Sequence, residues 1–116
     1  MTFPVTVPNI KVYQGDTFTA SYVFKNKTTG VSLDLVDEGW SNWVAQWRPS
    51  GPSSEVVSFV VDDTYASDGR IIVTAPPTST RLVKDGVWDL QATRDSEVKT
   101  WVRGRVEGIG DVTRAV

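Results

Sequence analysis

Cysteine and histidine are both absent from the 116 residues. Without cysteine there is neither a disulfide nor a thiolate metal site, so packing alone must hold the chain together, as suits a protein made in a reducing cytoplasm. Without histidine the chain lacks the commonest general base and the commonest transition-metal ligand. Positive charge is not in excess: 12 Lys and Arg stand against 14 Asp and Glu, a net −2, and nucleic-acid binders usually carry a basic surplus. No apolar run approaches the ~20 residues of a membrane span. The opening MTFPVTVPNIKVY lacks the basic start and long apolar core of a signal peptide. Neither a G-x-S-x-G elbow nor a phosphate loop occurs. These absences lead to the expectation of a non-enzyme with no cofactor, no metal, no nucleic-acid partner and no membrane partner.

What the chain does have is period-two alternation in short runs bounded by turn residues. Val5 to Val7, interrupted by Pro8 and resumed through Ile10 and Val12, reads as an edge strand or as a strand that switches sheets. Phe18, Ala20, Tyr22 and Phe24 share one face of a second strand, and Leu33 and Leu35 one face of a short third. Trp43, Ala45 and Trp47 then alternate with Val44, Gln46 and Arg48, and Val57, Phe59 and Val61 form another inward row. Ile71 to Val73 is stopped by Pro76 and Pro77. Thr78 to Lys84 has room for one helical turn with Ser79 as its cap. Trp88, Leu90 and Ala92 lead through Asp95-Ser96 into a final long strand, where Val102, Gly104 and Val106 oppose Trp101, Arg103 and Arg105, and Asp111 to Thr113 forms a last short segment. About eight strands, no repeat and no linker give one domain over residues 1–116. The expected fold is an all-β, immunoglobulin-like antiparallel β-sandwich.

Acidic clusters give little chemistry. Asp62, Asp63 and Asp68 sit in a polar turn ending in Asp68-Gly69, without the spacing of an EF-hand. Asp34, Asp37 and Glu38 are close in sequence, but nothing places two of them in a cleft.

The tryptophans carry more information. Trp43, Trp47 and Trp88 follow the inward phase and read as core. With Val102 and Val106 inside, strict alternation puts Trp101 outside beside Arg103 and Arg105, the composition of an interface hot spot, or of a solvated cation–π ladder. Trp40, in the loop Glu38 to Ser41, is either a contact residue or a lid on the core. The apolar start, with Phe3, Val5 and Val7, either packs as a first strand in its own domain or adds to a neighbour's sheet. Trp101, Arg103, Arg105, Trp40, Phe3, Val5 and Val7 are therefore the interface candidates.

The order of these segments resembles a recurrent small β-sandwich of tailed bacteriophages, found in accessory structural proteins such as upper-baseplate and tail-fibre-associated ones. The likeness rests on QGDTFTASYVF (Gln14 to Phe24), an LDL-like strand (Val31 to Leu35) and W-x-A-x-x-R, here Trp43 to Arg48. It continues through DG-x-I-x-V-x-x-P (Asp68 to Pro76), the tryptophan strand within Leu82 to Thr93, and G-x-V (Gly104 to Val106). The pairing of Trp40 with Trp43 is richer in tryptophan than the family's usual pattern, so its partner contacts do not carry over. The resemblance implies a non-enzymatic virion component assembled in the host cytoplasm. It would attach to tail, baseplate or fibre through symmetric contacts with other virion proteins, as a homo-oligomer, ring or lattice. Capsid decoration is the alternative within that class. A carbohydrate-binding module, which would need exposed aromatics from among Trp101, Trp40 and Tyr65, is the alternative outside it.

Overall fold

A computed structural model describes residues 5–6, 9–49 and 56–110. The chain is all-β. Its strands are β1 (Val5–Thr6), β2 (Ile10–Tyr13), β3 (Phe18–Val23), β4 (Ser41–Pro49), β5 (Val57–Asp62), β6 (Arg70–Ala75), β7 (Gly86–Arg94) and β8 (Glu97–Ile109). A 3₁₀ turn at Ala66–Asp68 and one helical turn, α1 (Pro77–Thr80), complete the elements.

The hydrogen-bonded path runs β1-β8-β7-β4-β5-β6-β3, with β2 also on β8. β5 is the joint between two layers: Val57 to Phe59 pair with β4, and Val60 to Asp62 pair with β6. The layers meet face to face because each strand alternates. Phe18 of β3 approaches Phe59 at 6.1 Å between ring centroids, and Tyr22 approaches Trp88 of β7 at 5.6 Å. Five pairings are antiparallel, while β1 and β2 lie parallel to β8, so the sheet is mixed rather than purely antiparallel. The chain thus enters beside its own last strand. Its register slips by one residue between Thr6 (opposite Arg103) and Ile10 (opposite Val106), the interval whose sequence holds Pro8, which has no amide proton to give a ladder.

Two expectations change in the connections. Leu33 and Leu35 form no strand: one isolated bridge, Lys25 to Ser32, is all that pairs there. Leu33 donates its amide to Phe24 O and Leu35 to Ala66 O, on different segments, and the Asp34 carboxylate accepts from the Asp37 amide and turns the chain. Leu35 is nevertheless fully buried. Gly69 locks the same corner. Its φ of +76° is left-handed, and a Cβ there would sit 2.7 Å from Phe24 O. The helical turn starts at Pro77, after Pro76, and not at a Ser79 cap. Proline at the first helical position forfeits no internal bond. The buried Thr80 hydroxyl then donates to Asp16 O (2.7 Å) and accepts from the Gly15 amide (3.2 Å), tying α1 to the first turn.

The largest correction concerns Trp101. Leu90 of β7 pairs with Val102, but Gln91 pairs with Thr100, so Trp101 is the extra residue of a β-bulge. The bulge resets the alternation. Trp101 and Val102 are both about 1% exposed, and Arg103, Gly104, Arg105 and Val106 resume the outward–inward order. Trp101 fills the space between Phe24 (5.1 Å), Trp40 (5.3 Å, edge-on) and Trp43 (5.5 Å). Trp40 is also buried, at 5% exposure, and closes the core as a lid. Two cations cover this cluster: the Arg94 guanidinium lies 4.5 Å from the Trp40 ring, and Lys99 Nζ lies 4.3 Å from the Trp101 ring. The cation–π contacts thus come from Arg94 and Lys99, not from Arg103 and Arg105. Partial burial pushes the Lys99 ammonium below its ordinary range.

Deletion of this indole must leave a large void in a close-packed core. We expect Trp101→Ala to cost about 3–5 kcal/mol in urea denaturation, whereas Val98→Ala, three positions earlier and 64% exposed, should stay within about 0.5 kcal/mol of wild type.

Candidate functional site

The outer face of β4, β7 and β8 is assembled by register. Its side chains are the outward half of each alternation, and pairing stacks them into three cross-strand rungs. Val44, Gln91 and Thr100 make the first, Gln46, Asp89 and Arg103 the second, and Arg48, Val87 and Arg105 the third. Directly opposed residues on one sheet face lie about 4.5–5.5 Å apart at Cβ, so each rung is a contact set. An open groove of about 630 Å³ runs over the second and third rungs, with Asn9 at its rim.

The chemistry of this face is cationic and hydrogen-bonding. Within the groove three guanidinium groups, Arg48, Arg103 and Arg105, stand against one carboxylate, Asp89, while Asp85 and Glu107 line the adjoining hollow with Arg105. None of the three arginines is ion-paired among the described residues. Arg48 donates to Gln46 Oε1 at 3.4 Å, and Gln91 Nε2 donates to Thr100 Oγ1 at 3.3 Å. Asp89 is half-buried between its neighbours. That burial raises its pKa above the ordinary aspartate range, against the opposing pull of Arg48 and Arg103. An arginine fork without a carboxylate partner is a ready receptor for bidentate anionic groups.

Of the interface candidates read from the sequence, Arg103 and Arg105 stand exposed on this face. Trp101 and Trp40 do not: the bulge and the loop fold-back put both in the core. Val5 lies in β1, paired with β8 of its own domain, while Phe3 and Val7 fall outside the described residues. Arg48, Gln46, Val87 and Asp89 were missed. Their outward phase was visible in the alternation, but which of them become neighbours depends on the strand register. The row of aromatics needed for stacking on sugars is not formed: of Trp40, Tyr65 and Trp101, only Tyr65 is exposed. Of the acids of the polar turn, Asp62 is occupied locally. The Asp62 carboxylate accepts from both the amide and the hydroxyl of Thr64, which lowers its pKa. Among the described residues no group of three potential ligands is placed to hold a metal ion.

No protein-family model and no curated protein matches this sequence. Among solved structures, the fold is similar to that of the N-terminal domain of phage TP901-1 ORF48, with a TM-score of 0.51 at 13% identity, covering 90% of this chain and 94% of that domain. A looser match, with a TM-score of 0.45 at 16% identity, is a DUF4785 family protein of Legionella pneumophila. It covers 87% of this chain and 27% of that one.

Because the folded-state pKa of Asp89 is raised, the folded protein holds this proton to higher pH than the unfolded chain does. Stability therefore falls as pH climbs from the ordinary aspartate range through the raised folded value. Asp89→Asn should remove that component, leaving the variant at least as stable as wild type at pH 7 and flatter across that window in thermal melts.

Proposed function

We propose that this chain is a non-enzymatic structural component of a tailed-phage virion, attached to tail, baseplate or fibre through the outer face of β4, β7 and β8. The observation that carries the reading is the correspondence in fold with a phage domain over nearly the full length of both. The segment order of the sequence resembles phage accessory sandwiches as well. Sandwich folds serve many roles, so the site must supply the rest of the argument. The three-strand platform, whose arginines have no ion pair among the described residues, suits a docking surface for acidic groups of a neighbouring virion protein. Rim and groove charges of this kind steer encounter and fix register. In this reading the protein is assembled in the host cytoplasm and works as a member of a ring or lattice.

Immunogold labelling of intact particles from the encoding genome is the test, with label on the tail or its tip expected. Label confined to the head would replace tail attachment by capsid decoration, and particles without the protein by immunoblot would overturn the virion reading. A chain carrying Arg103→Glu and Arg105→Glu should fold normally by circular dichroism and be lost from purified particles.

A further inference from the structure

The third rung of the outer face has the form of a slot. Arg48, Val87 and Arg105 stand side by side on β4, β7 and β8, with the short valine in the middle. All three are exposed and line the groove. Two strand spacings separate the outer pair at the backbone, about 9.5 Å. An aromatic ring with carbon contacts of about 3.5–4 Å on each face needs roughly 7–8 Å. The rung therefore offers an apolar floor and two guanidinium walls, an arrangement that takes a flat ring by cation–π stacking.

The chain itself carries a ring suited to that slot. Among the described residues the exposed aromatic side chains are Tyr13 and Tyr65. Tyr13 shares its face of β2 with the exposed Lys11, which arginine walls repel. Tyr65 has the opposite setting. It stands in the turn between β5 and β6, with Asp62 and Asp63 before it and Asp68 after it, all exposed. The segment after Asp34 packs alongside through the bond from the Leu35 amide to Ala66 O, and brings the exposed Asp37 and Glu38 to the same end. The carboxylates of Asp63 and Asp68 have no cation within salt-bridge reach among the described residues. The backbone beneath the ring is fixed: Tyr65 O accepts from the amides of Asp68 (2.9 Å) and Arg70 (3.1 Å).

A molecule cannot place this ring in its own slot. Val57, at the start of β5, pairs with Trp47, next to Arg48. Tyr65 lies beyond Asp62, at the other end of the same six-residue strand, about 20 Å away.

We propose that Tyr65 of one copy enters the slot of Arg48, Val87 and Arg105 on the next copy, with Asp63 and Asp68 set against the arginines around it. The proposal rests on the reading of the outer face as the docking surface, and it names the neighbour as a second copy of this chain. Asp85 and Glu107 border the slot on the side away from Arg103, so the acidic tip is turned toward Arg103. Slot and ring are different surfaces at opposite ends of the strands. The contact is therefore head-to-tail, and its repetition gives a ring where the rotation closes and a filament where it does not. One tyrosine and a few carboxylates make a weak contact, and closing a ring strengthens it by avidity.

Sedimentation equilibrium of the purified chain, carried into the millimolar range, tests this with variants of the two surfaces. The wild-type mass is expected to rise above that of the 12.8 kDa monomer as concentration increases. Tyr65→Ala should stay monomeric with a wild-type thermal melt, as should the double variant Arg48→Ala, Arg105→Ala, while Tyr65→Phe should associate like wild type. The deciding sample is a mixture of the two monomeric variants. One retains the slot and the other the ring, so together they should form a one-to-one dimer that grows no further. A wild-type chain that stays monomeric throughout, a folded Tyr65→Ala chain that associates like wild type, or a mixture that does not pair overturns the proposal. If the wild type is monomeric and the chain with Arg103→Glu and Arg105→Glu is still lost from particles, self-docking falls while the docking face stands with another protein on it, so the two readings fail separately.

Discussion

One extra residue in the last strand organises this molecule. The bulge at Trp101 lets β8 keep its pairing with β7 on both sides while turning the largest side chain of the strand inward. Strict alternation would have left that indole in water and the space beneath Trp40 and Trp43 empty. A chain without disulfides depends on burial of apolar surface, and aromatic side chains bury the most. The bulge sets the Trp101 ring against three others, Phe24, Trp40 and Trp43, of which Phe24 and Trp43 also stack on one another. That cluster carries a cost: the indole N–H groups of Trp40 and Trp43 are buried without an acceptor among the described residues. Trp47, by contrast, donates to Lys84 O at 2.9 Å. The aromatic contacts and the covering cations Arg94 and Lys99 offset the missing bonds.

The same insertion shapes the outer face. Beyond the bulge, the outward positions of β8 are Arg103 and Arg105, and pairing sets them beside Asp89 and Val87, with Gln46 and Arg48 one strand further. A residue that reads as part of the interface is therefore the residue whose burial builds it. The core holds the strands rigid, and their register sets the backbones of the three arginines in fixed rows, with Asp89 as the one carboxylate lining the groove among the described residues.

Much of this was legible in the sequence. The alternation put Phe18, Tyr22, Phe24, Trp43, Trp47, Phe59, Trp88 and Leu90 on the inward side, and the structure places them there, wholly or half-buried. The reading failed where local pattern and tertiary pairing part company. Leu33 and Leu35 alternate like a strand, but their hydrogen bonds go to two separate segments, so a turn results. A bulge leaves no signature in a run such as Lys-Thr-Trp-Val-Arg, and it inverts the face of a single residue. The parallel entry of β1 and β2 beside β8, and the grouping of Arg48 with Arg105, are matters of register between strands far apart in sequence. Period-two patterns specify a face, not a neighbour.

The inward position of Trp101 is the point on which core, cluster and outer face all turn, and it is open to direct measurement. The five indole N–H signals can be followed by nuclear magnetic resonance while a soluble paramagnetic probe is added, with the Trp101 signal assigned by its loss in Trp101→Phe. The account predicts that the Trp101 signal is as well shielded from the probe as that of Trp47. Broadening of the Trp101 signal at the rate of a free indole, with Trp47 still protected, would mean an unbroken alternation in β8 and would contradict it.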